Sequence, residues 1–511
     1  MEREPGATEL PGGPPPGEDE NSASGPRHPA AWVSTTYFAE GFPYAIVHSF
    51  VEVLFTELGA SLKAIGLTSL LHLPWNLKFL WGPVLDAYGT KRTWIAGLEF
   101  ALAACLAALA FSVLGEGNSL IIPTALFAVV AVLAATHDIA IDSHYLVGLD
   151  EDGQARWVGL RAPAYRVALL VVGGPGLVFA ARLGFPVTFG LCAVLLAVLA
   201  VYHGRLLPSE ERAVRPFSEL ARPGPLALVG ILVGLGAFIA WAASPGPSRS
   251  FAQWMQDNLP GAWSVLSRLS VANAILILLL LGLLASLAAL PLLRRRWAES
   301  DSFYAQAFLT FLDQPHVGRI LWFILFFRTG ESFLMRMKYP FLKSIGMSLE
   351  AYGWASGTVG MVAALVAPAL GGWLIARDGL RRWIWPFVIA QNLLNLAYWG
   401  LATSFPEAGT LDSNGLIGVG AVITLEMFGA GLGTAVFMVY IMRVPLPDHK
   451  AAHTAILTAL MSFGFLLAGV VSGFLAEWLG FGGYFLFTVA ATVPGMLVIP
   501  FLPYLDGPRR E

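Results

Sequence analysis

Long apolar stretches separated by short polar ones run through most of the chain. Each has about 20 mainly apolar residues, which as a helix would cross the roughly 30 Å hydrocarbon core of a bilayer. The pattern predicts an all-α polytopic membrane protein with about 14 spanning helices, grouped as six, two and six. The expected spans are 31–57, 64–86, 94–114, 119–145, 157–181, 186–203, then 224–244 and 264–291, then 319–340, 351–376, 383–404, 416–442, 452–478 and 483–503.

Composition agrees with this class. Hydrophobic residues make up 56% of the chain and charged residues 13%, whereas a soluble domain needs about a quarter charged residues. The net charge of −3 gives no reason to expect a nucleic-acid partner. Cys105 and Cys192 lie inside separate apolar stretches, so we expect small buried side chains rather than a disulfide or a metal site.

The distribution of lysine and arginine predicts the orientation. If both termini are cytoplasmic, most loop cations fall inside, among them Lys91, Arg92 and the triplet 294–296. Positive charges are retained on the cytoplasmic side of spanning helices. We therefore expect a multi-pass protein of the cytoplasmic (inner) membrane with both termini in the cytoplasm.

An internal repeat divides the chain. The segment Glu57-Leu-Gly-Ala-Ser-Leu-Lys-Ala-Ile-Gly66 resembles Ser344-Ile-Gly-Met-Ser-Leu-Glu-Ala-Tyr-Gly353, and Glu40-Gly-Phe42 resembles Glu331-Ser-Phe333. Matches in the same order predict two six-helix halves in parallel repeat. The expected regions are a disordered cytoplasmic tail 1–29, an N-terminal half 30–204, a linker with two extra spanning helices 205–296, a cytoplasmic amphipathic linker 297–318, a C-terminal half 319–504 and a cytoplasmic tail 505–511.

A second repeated motif follows the second predicted helix of each half. The first copy contains Gly82, Asp86, Gly89, Lys91 and Arg92, and it fits the G-x-x-x-D-x-x-G-x-[KR] signature of the major facilitator transporters. The second copy contains Gly372, Gly379 and Arg381, with Ala376 in the place of the acid. In the transporters that this motif resembles, the acid faces the positive end of the eleventh helix, here near 450–455. The resemblance implies a one-sided latch on the cytoplasmic side, with Lys91 and Arg92 at the lipid surface.

Several short motifs carry a wider resemblance. They are Tyr37-Phe-Ala-Glu-Gly-Phe-Pro-Tyr44, Leu77-Lys-Phe-Leu-Trp-Gly-Pro83, His137-Asp-Ile-Ala-Ile-Asp142, Phe327-Arg-Thr-Gly-Glu331 and Glu426-Met-Phe-Gly-Ala-Gly-Leu-Gly-Thr-Ala435. Together they resemble the AmpG-type permeases of the major facilitator superfamily, a group that includes muropeptide and acetyl-coenzyme A transporters. The resemblance implies a central cavity lined by the first and fourth helices of each half.

Ionisable residues inside the predicted spans are the candidate functional residues, because a charge in the bilayer costs a few kcal/mol unless it is paired or hydrated. The candidates for proton coupling are Glu40, Asp138, Asp142, Glu331 and Glu426. The candidates for substrate contact or ion pairing are Lys78, Arg166, Arg328, Tyr37 and Asn392, and Trp75, Gln391 and Asn395 are further candidates for lining the pathway. Glu40, Lys78, Asp138, Arg166 and Arg328 are expected at one depth. Static ion pairing is the alternative to coupling.

Metal, nucleotide and cofactor sites are not expected. His137, Asp138, Asp142 and His144 are of metal-ligand type, as are His48 and Glu52, but no H-E-x-x-H signature is present. Helical spacing cannot place the first four on one face. His48 and His72 are predicted to be hydrogen-bonded helix residues. The sequence also lacks a P-loop, so ATP is not the expected energy source.

These patterns predict a secondary active transporter, coupled to protons, for a bulky polar solute. A muropeptide is the leading substrate class, and acetyl-coenzyme A or a siderophore-type solute is the alternative. The expected partners are the small-molecule substrate, protons and the lipid bilayer, and the expected state is a monomer without a cofactor. An intramembrane transferase and a non-transporting sensor are alternatives from other classes.

Overall fold

The structure, a computed structural model, describes residues 28–114, 120–208, 215, 253–254, 256–258, 260–261, 271–300, 303–405 and 411–507. These residues form helices and contain no strand. The predicted span 224–244 and nearly all of the predicted tail 1–29 lie outside them.

Six helices form the N-terminal half. Helix 1 comprises Pro29–Ala45, the π-helical Ile46–Phe50 and Val51–Glu57. Helix 2 comprises Leu62–Leu67, the 3-10 helical Thr68–His72, Leu73–Leu77, the 3-10 helical Lys78–Leu80 and Gly82–Ala87. Helix 3 is Lys91–Ser112, helix 4 is Ile121–Gly148, helix 5 comprises Glu151–Val171, the π-helical Val172–Gly176 and Leu177–Leu183, and helix 6 is Phe185–Leu206. The inserted helix Val271–Ala298 and a short linker helix, Phe303–Leu312, follow.

Six further helices form the C-terminal half. Helix 7 comprises Val317–Phe326 and Thr329–Ser344, and helix 8 comprises Leu349–Tyr352, the π-helical Gly353–Gly360 and Met361–Asp378. Helix 9 comprises Leu380–Leu393 and Asn395–Ser404, and helix 10 is Ser413–Arg443. Helices 11 and 12 share the run Lys450–Leu497, which is kinked at Gly480, where φ is +66°. The fold class is therefore confirmed: two six-helix halves with inserted helical sequence between them.

Seven described helical runs are long and apolar enough to cross a membrane, with helices 11 and 12 counted as one run. Helices 1, 2, 5, 7, 8 and 9 are interrupted by π-helical, 3-10 helical or turn residues. Such breaks inside spanning helices are tolerated where the backbone is buried in protein or faces a water-filled cavity. The breaks are therefore expected to lie close to the functional part of the molecule.

The predicted repeat corresponds to a repeated local structure. Ser61 caps helix 2 and Ser348 caps helix 8, and each hydroxyl oxygen accepts a hydrogen bond of 3.2 Å from the backbone N–H three residues later. Two residues before each serine, Gly59 and Gly346 have φ values of +73° and +97°. A side chain would be strained in that left-handed conformation. The sequence similarity between the halves therefore reflects the same helix start.

The buried apolar residues show how the halves meet. We call the side on which helix 1 begins at Pro29 the terminal side, and the side on which it ends at Glu57 the opposite side. Toward the opposite side one apolar cluster contains residues of both halves, for example Phe50 and Phe341. Toward the terminal side each half has its own cluster, around Trp32 in the N-terminal half and around Phe323 in the C-terminal half. The halves are therefore packed together on the opposite side and separate on the terminal side.

Candidate functional site

Carboxylates and cations meet inside the N-terminal half. Lys78 of helix 2 forms an ion pair with Asp138 of helix 4. Glu40 of helix 1 interacts electrostatically with both, and its Oε2 is buried without a hydrogen-bond partner in the described part of the chain. The structure thus brings together three of the five charges that were expected at one depth.

Asp142, one turn further along helix 4, extends this group. Its Oδ1 accepts a hydrogen bond of 2.8 Å from the Tyr37 hydroxyl and forms an ion pair with Arg161 of helix 5. The Arg161 guanidinium also lies 4.5 Å and 4.7 Å from the ring centroids of Tyr37 and Tyr145. We call the five ionisable residues Glu40, Lys78, Asp138, Asp142 and Arg161 the carboxylate cluster.

Arg166 was expected to pair in this layer, but the arginine of helix 5 that pairs with the carboxylate cluster is Arg161. Tyr165 and Ala168 of helix 5 pack against Gly41 of helix 1, where an added Cβ would lie 2.7 Å from the Tyr165 carbonyl oxygen. Arg161 is four residues before Tyr165 and shares its helical face, whereas Arg166 is one residue later, about 100° around the helix. Arg166 is exposed. No sequence signal distinguishes Arg161 from Arg166, because the contact of Tyr165 with Gly41 is what orients helix 5.

The buried charges of the C-terminal half are paired one to one. Arg328 donates two hydrogen bonds to Glu331, of 2.6 Å and 2.9 Å. Lys338 of helix 7 lies 3.0 Å from Glu426 of helix 10, and the Tyr398 hydroxyl is 3.4 Å from the same carboxylate. Lys338 was missed because it stands at the end of the predicted span, where a cation is normally interfacial.

The amides predicted to line the pathway lie on helix 9. Gln391, Asn392 and Asn395 are buried, and each has side-chain polar atoms without a hydrogen-bond partner in the described part of the chain. Gln391 packs against Gly433, and Asn395 is close to Gly330. They therefore sit among helices of the C-terminal half, and their contact with a substrate stays a prediction.

One buried ion pair connects the two halves. Arg336 of helix 7 lies 3.7 Å from Glu52 of helix 1, with 6% and 10% of the two side chains exposed. Arg336 also donates a hydrogen bond of 3.4 Å to the Thr68 hydroxyl of helix 2. The sequence patterns did not single out Arg336, because they contain no information on which helices of the two halves face each other.

Three more ion pairs join the halves on the opposite side. They are Lys343 with Glu57 at 2.8 Å, Lys63 with Glu477 at 2.7 Å, and Arg182 with Glu350. Glycines bring the backbones close in the same region. A Cβ added to Gly473 of helix 11 would lie 2.0 Å from the carbonyl oxygen of Leu62 on helix 2. The opposite side is therefore closed by backbone packing as well as by charge.

The predicted latch is not engaged on the terminal side in this conformation. Asp86 has 69% of its side chain exposed and lies 3.1 Å from Lys91, within its own motif. The expectation of a lipid-surface position is wrong for Lys91 and stays a prediction for the half-buried Arg92. Lys91 is buried and donates to the Leu85 carbonyl, and Arg92 donates to the Gly204 carbonyl of helix 6. Lys91 therefore holds the turn between helices 2 and 3, and Arg92 ties the start of helix 3 to the end of helix 6.

The second motif copy has an acid that the alignment of the repeat missed. Asp378, two residues after Ala376, accepts hydrogen bonds from Arg377 at 2.9 Å and from the Trp383 indole at 3.0 Å. The turn glycine Gly379 has a φ of +88°, matching Gly89 with +67°. Gly372 has open space around it, and Arg381 forms an ion pair of 2.7 Å with Asp506.

The four residues of helix 4 that were weighed as metal ligands face different neighbours. His137 lies 3.4 Å from Glu99, Asp138 pairs with Lys78, Asp142 pairs with Arg161, and His144 packs against Trp32. Glu99 also accepts from His203 at 2.7 Å, and all three of Glu99, His137 and His203 are fully buried. The four side chains therefore do not share one face, as the sequence argument predicted, although Asp138 and Asp142 lie on the same one.

Similar proteins agree with the fold and with the family resemblance. An anhydromuropeptide permease of Escherichia coli (strain K12) is 26% identical over 469 residues, covering 90% of this chain and 77% of its own. No family model matches the chain. A peptide transporter POT, solved as a mutant with sulfate, aligns with a TM-score of 0.63 at 12% identity over 92% of this chain and 94% of its own.

The chain is similar to AmpG-type permeases and has the major facilitator fold. A solved nucleoside transporter shares this fold too, with a TM-score of 0.55 at 13% identity over 93% of this chain and 100% of its own. The resemblance read from the short motifs is thereby confirmed over nearly the whole chain. In this AmpG-like chain the carboxylate cluster is the candidate functional site, and the closed opposite side defines its conformational state.

Proposed function

We propose that this AmpG-like chain is a proton-coupled secondary transporter that moves a muropeptide, an anhydro-sugar peptide, across the cytoplasmic membrane. Both termini are in the cytoplasm, and the unit is a monomer. The terminal side then faces the cytoplasm, and the structure corresponds to the state open to the cytoplasm. The choice of solute rests on similarity to the anhydromuropeptide permease.

The charge balance of the carboxylate cluster carries the proton coupling. The cluster holds three carboxyl groups, those of Glu40, Asp138 and Asp142, but only two cations, Lys78 and Arg161. An uncompensated charge in a site of low dielectric is costly, and a proton on one carboxyl group removes it. Glu40 is the favoured carrier, because both aspartates have a cation partner and one of its own oxygens is buried without a hydrogen bond in the described part of the chain.

The C-terminal half supplies a contrast. Its carboxylates Glu331 and Glu426 each have one cation partner. Neither needs a proton for neutrality, so we assign coupling to the N-terminal half. Movement of the two halves about this layer would expose it to each side of the membrane in turn.

Uptake of labelled anhydromuropeptide into proteoliposomes with an imposed pH gradient tests this function. Wild type should accumulate the solute. In Glu40→Gln and Asp138→Asn, gradient-driven uptake should fall at least about tenfold. Both variants should still exchange labelled for unlabelled solute, because exchange needs no net proton movement. Glu299→Gln, at an exposed glutamate after the inserted helix, is the matched control. Full gradient-driven uptake by both cluster variants would refute the assignment, and no wild-type uptake would refute the substrate.

A further inference from the structure

A chain of hydrogen bonds runs through two histidines and crosses between the halves. His48 Nδ1 lies 2.8 Å from the Tyr44 carbonyl oxygen, and His48 Nε2 lies 2.6 Å from His72 Nδ1. His72 Nε2 lies 2.9 Å from the Ser462 hydroxyl of helix 11, which in turn is 2.5 Å from Asn76 Oδ1. Helices 1 and 2 of one half are thus connected to helix 11 of the other.

The direction of these bonds limits where protons can be. A carbonyl oxygen only accepts, so His48 Nδ1 carries a hydrogen. The contact between the two rings has room for one hydrogen, whichever ring holds it. The charge of the pair is therefore decided at one atom, His72 Nε2. Without a hydrogen there the pair is neutral, and with one it carries a single positive charge.

The polar neighbours of that atom can satisfy either state. With His72 Nε2 protonated, the ring donates to Ser462, and the Ser462 hydroxyl donates to Asn76 Oδ1. With Nε2 bare, Ser462 donates to it, and the Asn76 amide turns to present its NH₂ group, since the two ends of an amide are interchangeable in shape. The contact with helix 11 thus tolerates both states but fixes neither.

The surrounding charges decide between the states. Arg336 of helix 7 interacts electrostatically with both rings, and its guanidinium lies 6.0 Å from the Phe465 ring, which is 6.4 Å from the His72 ring. Glu52 of helix 1 pairs with Arg336 and offsets part of its charge. Helix 11 faces the pair with the uncharged Ser462 and Phe465, and helix 5 contributes the neutral Tyr165, 5.7 Å from the Tyr44 ring. A nearby cation disfavours a second positive charge.

Arg336 and Ser462 belong to the C-terminal half, while both histidines belong to the N-terminal half. They meet only because the opposite side is closed, so opening that side would remove the cation and expose His72 Nε2 to water. His48 lies in a π-helical segment and His72 ends a 3-10 segment. Such irregular turns occur at functional sites.

We propose that the His48–His72 pair binds one proton when the opposite side is open and releases it when Arg336 and Ser462 pack against it. The pair is then a proton site at the contact that closes, separate from the carboxylate cluster. This inference rests on the proposed proton coupling and adds where the proton is first taken up. Proton binding and closure compete, so by reciprocity a lower pH opens the opposite side.

A distance measurement tests the proposal without any substrate. Nitroxide labels are placed at Leu114→Cys and Ser404→Cys, exposed positions at the opposite-side ends of helices 3 and 9, after Cys105 and Cys192 are replaced by alanine. Pulsed electron spin resonance on the full chain in lipid nanodiscs then gives the ratio of open to closed states. If the open state binds the proton at least about tenfold more tightly than the closed state, protonation can raise the ratio of open to closed molecules at least about tenfold. Wild type should therefore show at least about a tenfold rise in this ratio when the pH falls from about 8 to about 5.

His72→Gln, which keeps a hydrogen-bonding group near the Nε2 position but cannot titrate, should reduce this rise to less than about twofold. Arg336→Gln should also reduce it, because the closed state would no longer expel the proton. The control is His316→Asn, an exposed histidine with a φ of +64° that asparagine also adopts, and it should respond like wild type.

Three results would overturn the proposal: an unchanged pH response in His72→Gln, an unchanged response in Arg336→Gln, or a wild type without a response. If Glu40→Gln abolishes the response and His72→Gln does not, the histidine site is wrong while proton coupling by the carboxylate cluster stands. If wild type transports no anhydromuropeptide but His72→Gln abolishes the response, the substrate is wrong and the histidine site stands.

Discussion

Replacing Gly473 by alanine should open the opposite side of the molecule. An alanine Cβ at this position would lie 2.0 Å from the carbonyl oxygen of Leu62. The Cβ is fixed to the backbone of helix 11 and the oxygen is part of the backbone of helix 2, so no flexible side chain can move away. Helices 2 and 11 must separate by about 1 Å or more before the contact is tolerable, because small residues are what allow such close approach in membranes.

The expected size of the effect follows from the cost of overpacking. Adding a methyl group to a tightly packed contact costs about 1–3 kcal/mol. If that cost falls only on the closed state, the ratio of open to closed molecules rises about 5- to 150-fold. The ion pair between Lys63 and Glu477 lies at the same interface, with 30% and 32% of its side chains exposed. Lys63→Gln should therefore shift the ratio by less than about fivefold, because exposed pairs contribute at most about 1 kcal/mol.

The same label pair, Leu114→Cys with Ser404→Cys, provides the assay, at one fixed pH. Gly464→Ala is the matched control on helix 11, since its Cβ would lie an ordinary 3.5 Å from the Leu325 carbonyl oxygen. It adds the same methyl group to the same helix without a clash. The reasoning fails if Gly473→Ala has the wild-type distance distribution, or if Gly464→Ala shifts it equally.

Two further predictions concern charges. Glu426→Gln should lower the free energy of unfolding, measured by denaturant titration, by about 3–5 kcal/mol, because it leaves Lys338 buried and unpaired. The double variant Glu426→Gln with Lys338→Met should recover most of this loss. A double variant no more stable than Glu426→Gln alone would contradict the prediction. If Asp86 latches the terminal side closed, Asp86→Asn should increase the fraction of molecules that are open on that side, as measured by distances between spin labels placed there. An unchanged fraction would exclude the latch.

The repeat and the spans were predictable because they depend on local chemistry. Ser61 and Ser348 each start a helix after a glycine with positive φ, and this requirement leaves the same letters in both halves. Apolar length likewise follows from the thickness of the bilayer. The predicted span 224–244 lies outside the described residues, so the number of spans stays a prediction.

The site was predictable in part. Asp138 and Asp142 share a helical face and join one cluster, as their spacing indicated, and Glu40 and Lys78 belong to the same cluster. Arg161 rather than Arg166 joins this cluster, because the face that helix 5 turns toward helix 1 is set by packing against Gly41; contact of the exposed Arg166 with a substrate stays a prediction.

The sequence by itself determined the class, the two-half architecture, the family resemblance and most residues of the carboxylate cluster. Only the tertiary structure decided which charges are paired and which side is closed. Arg336 and Glu52 are 284 positions apart in the sequence, yet they form a buried pair across the halves. Hydrophobicity and helix capping act within a few residues, whereas a pair between halves depends on how the two helix bundles pack against each other. That docking joins His72 to Ser462 and leaves Asp86 exposed.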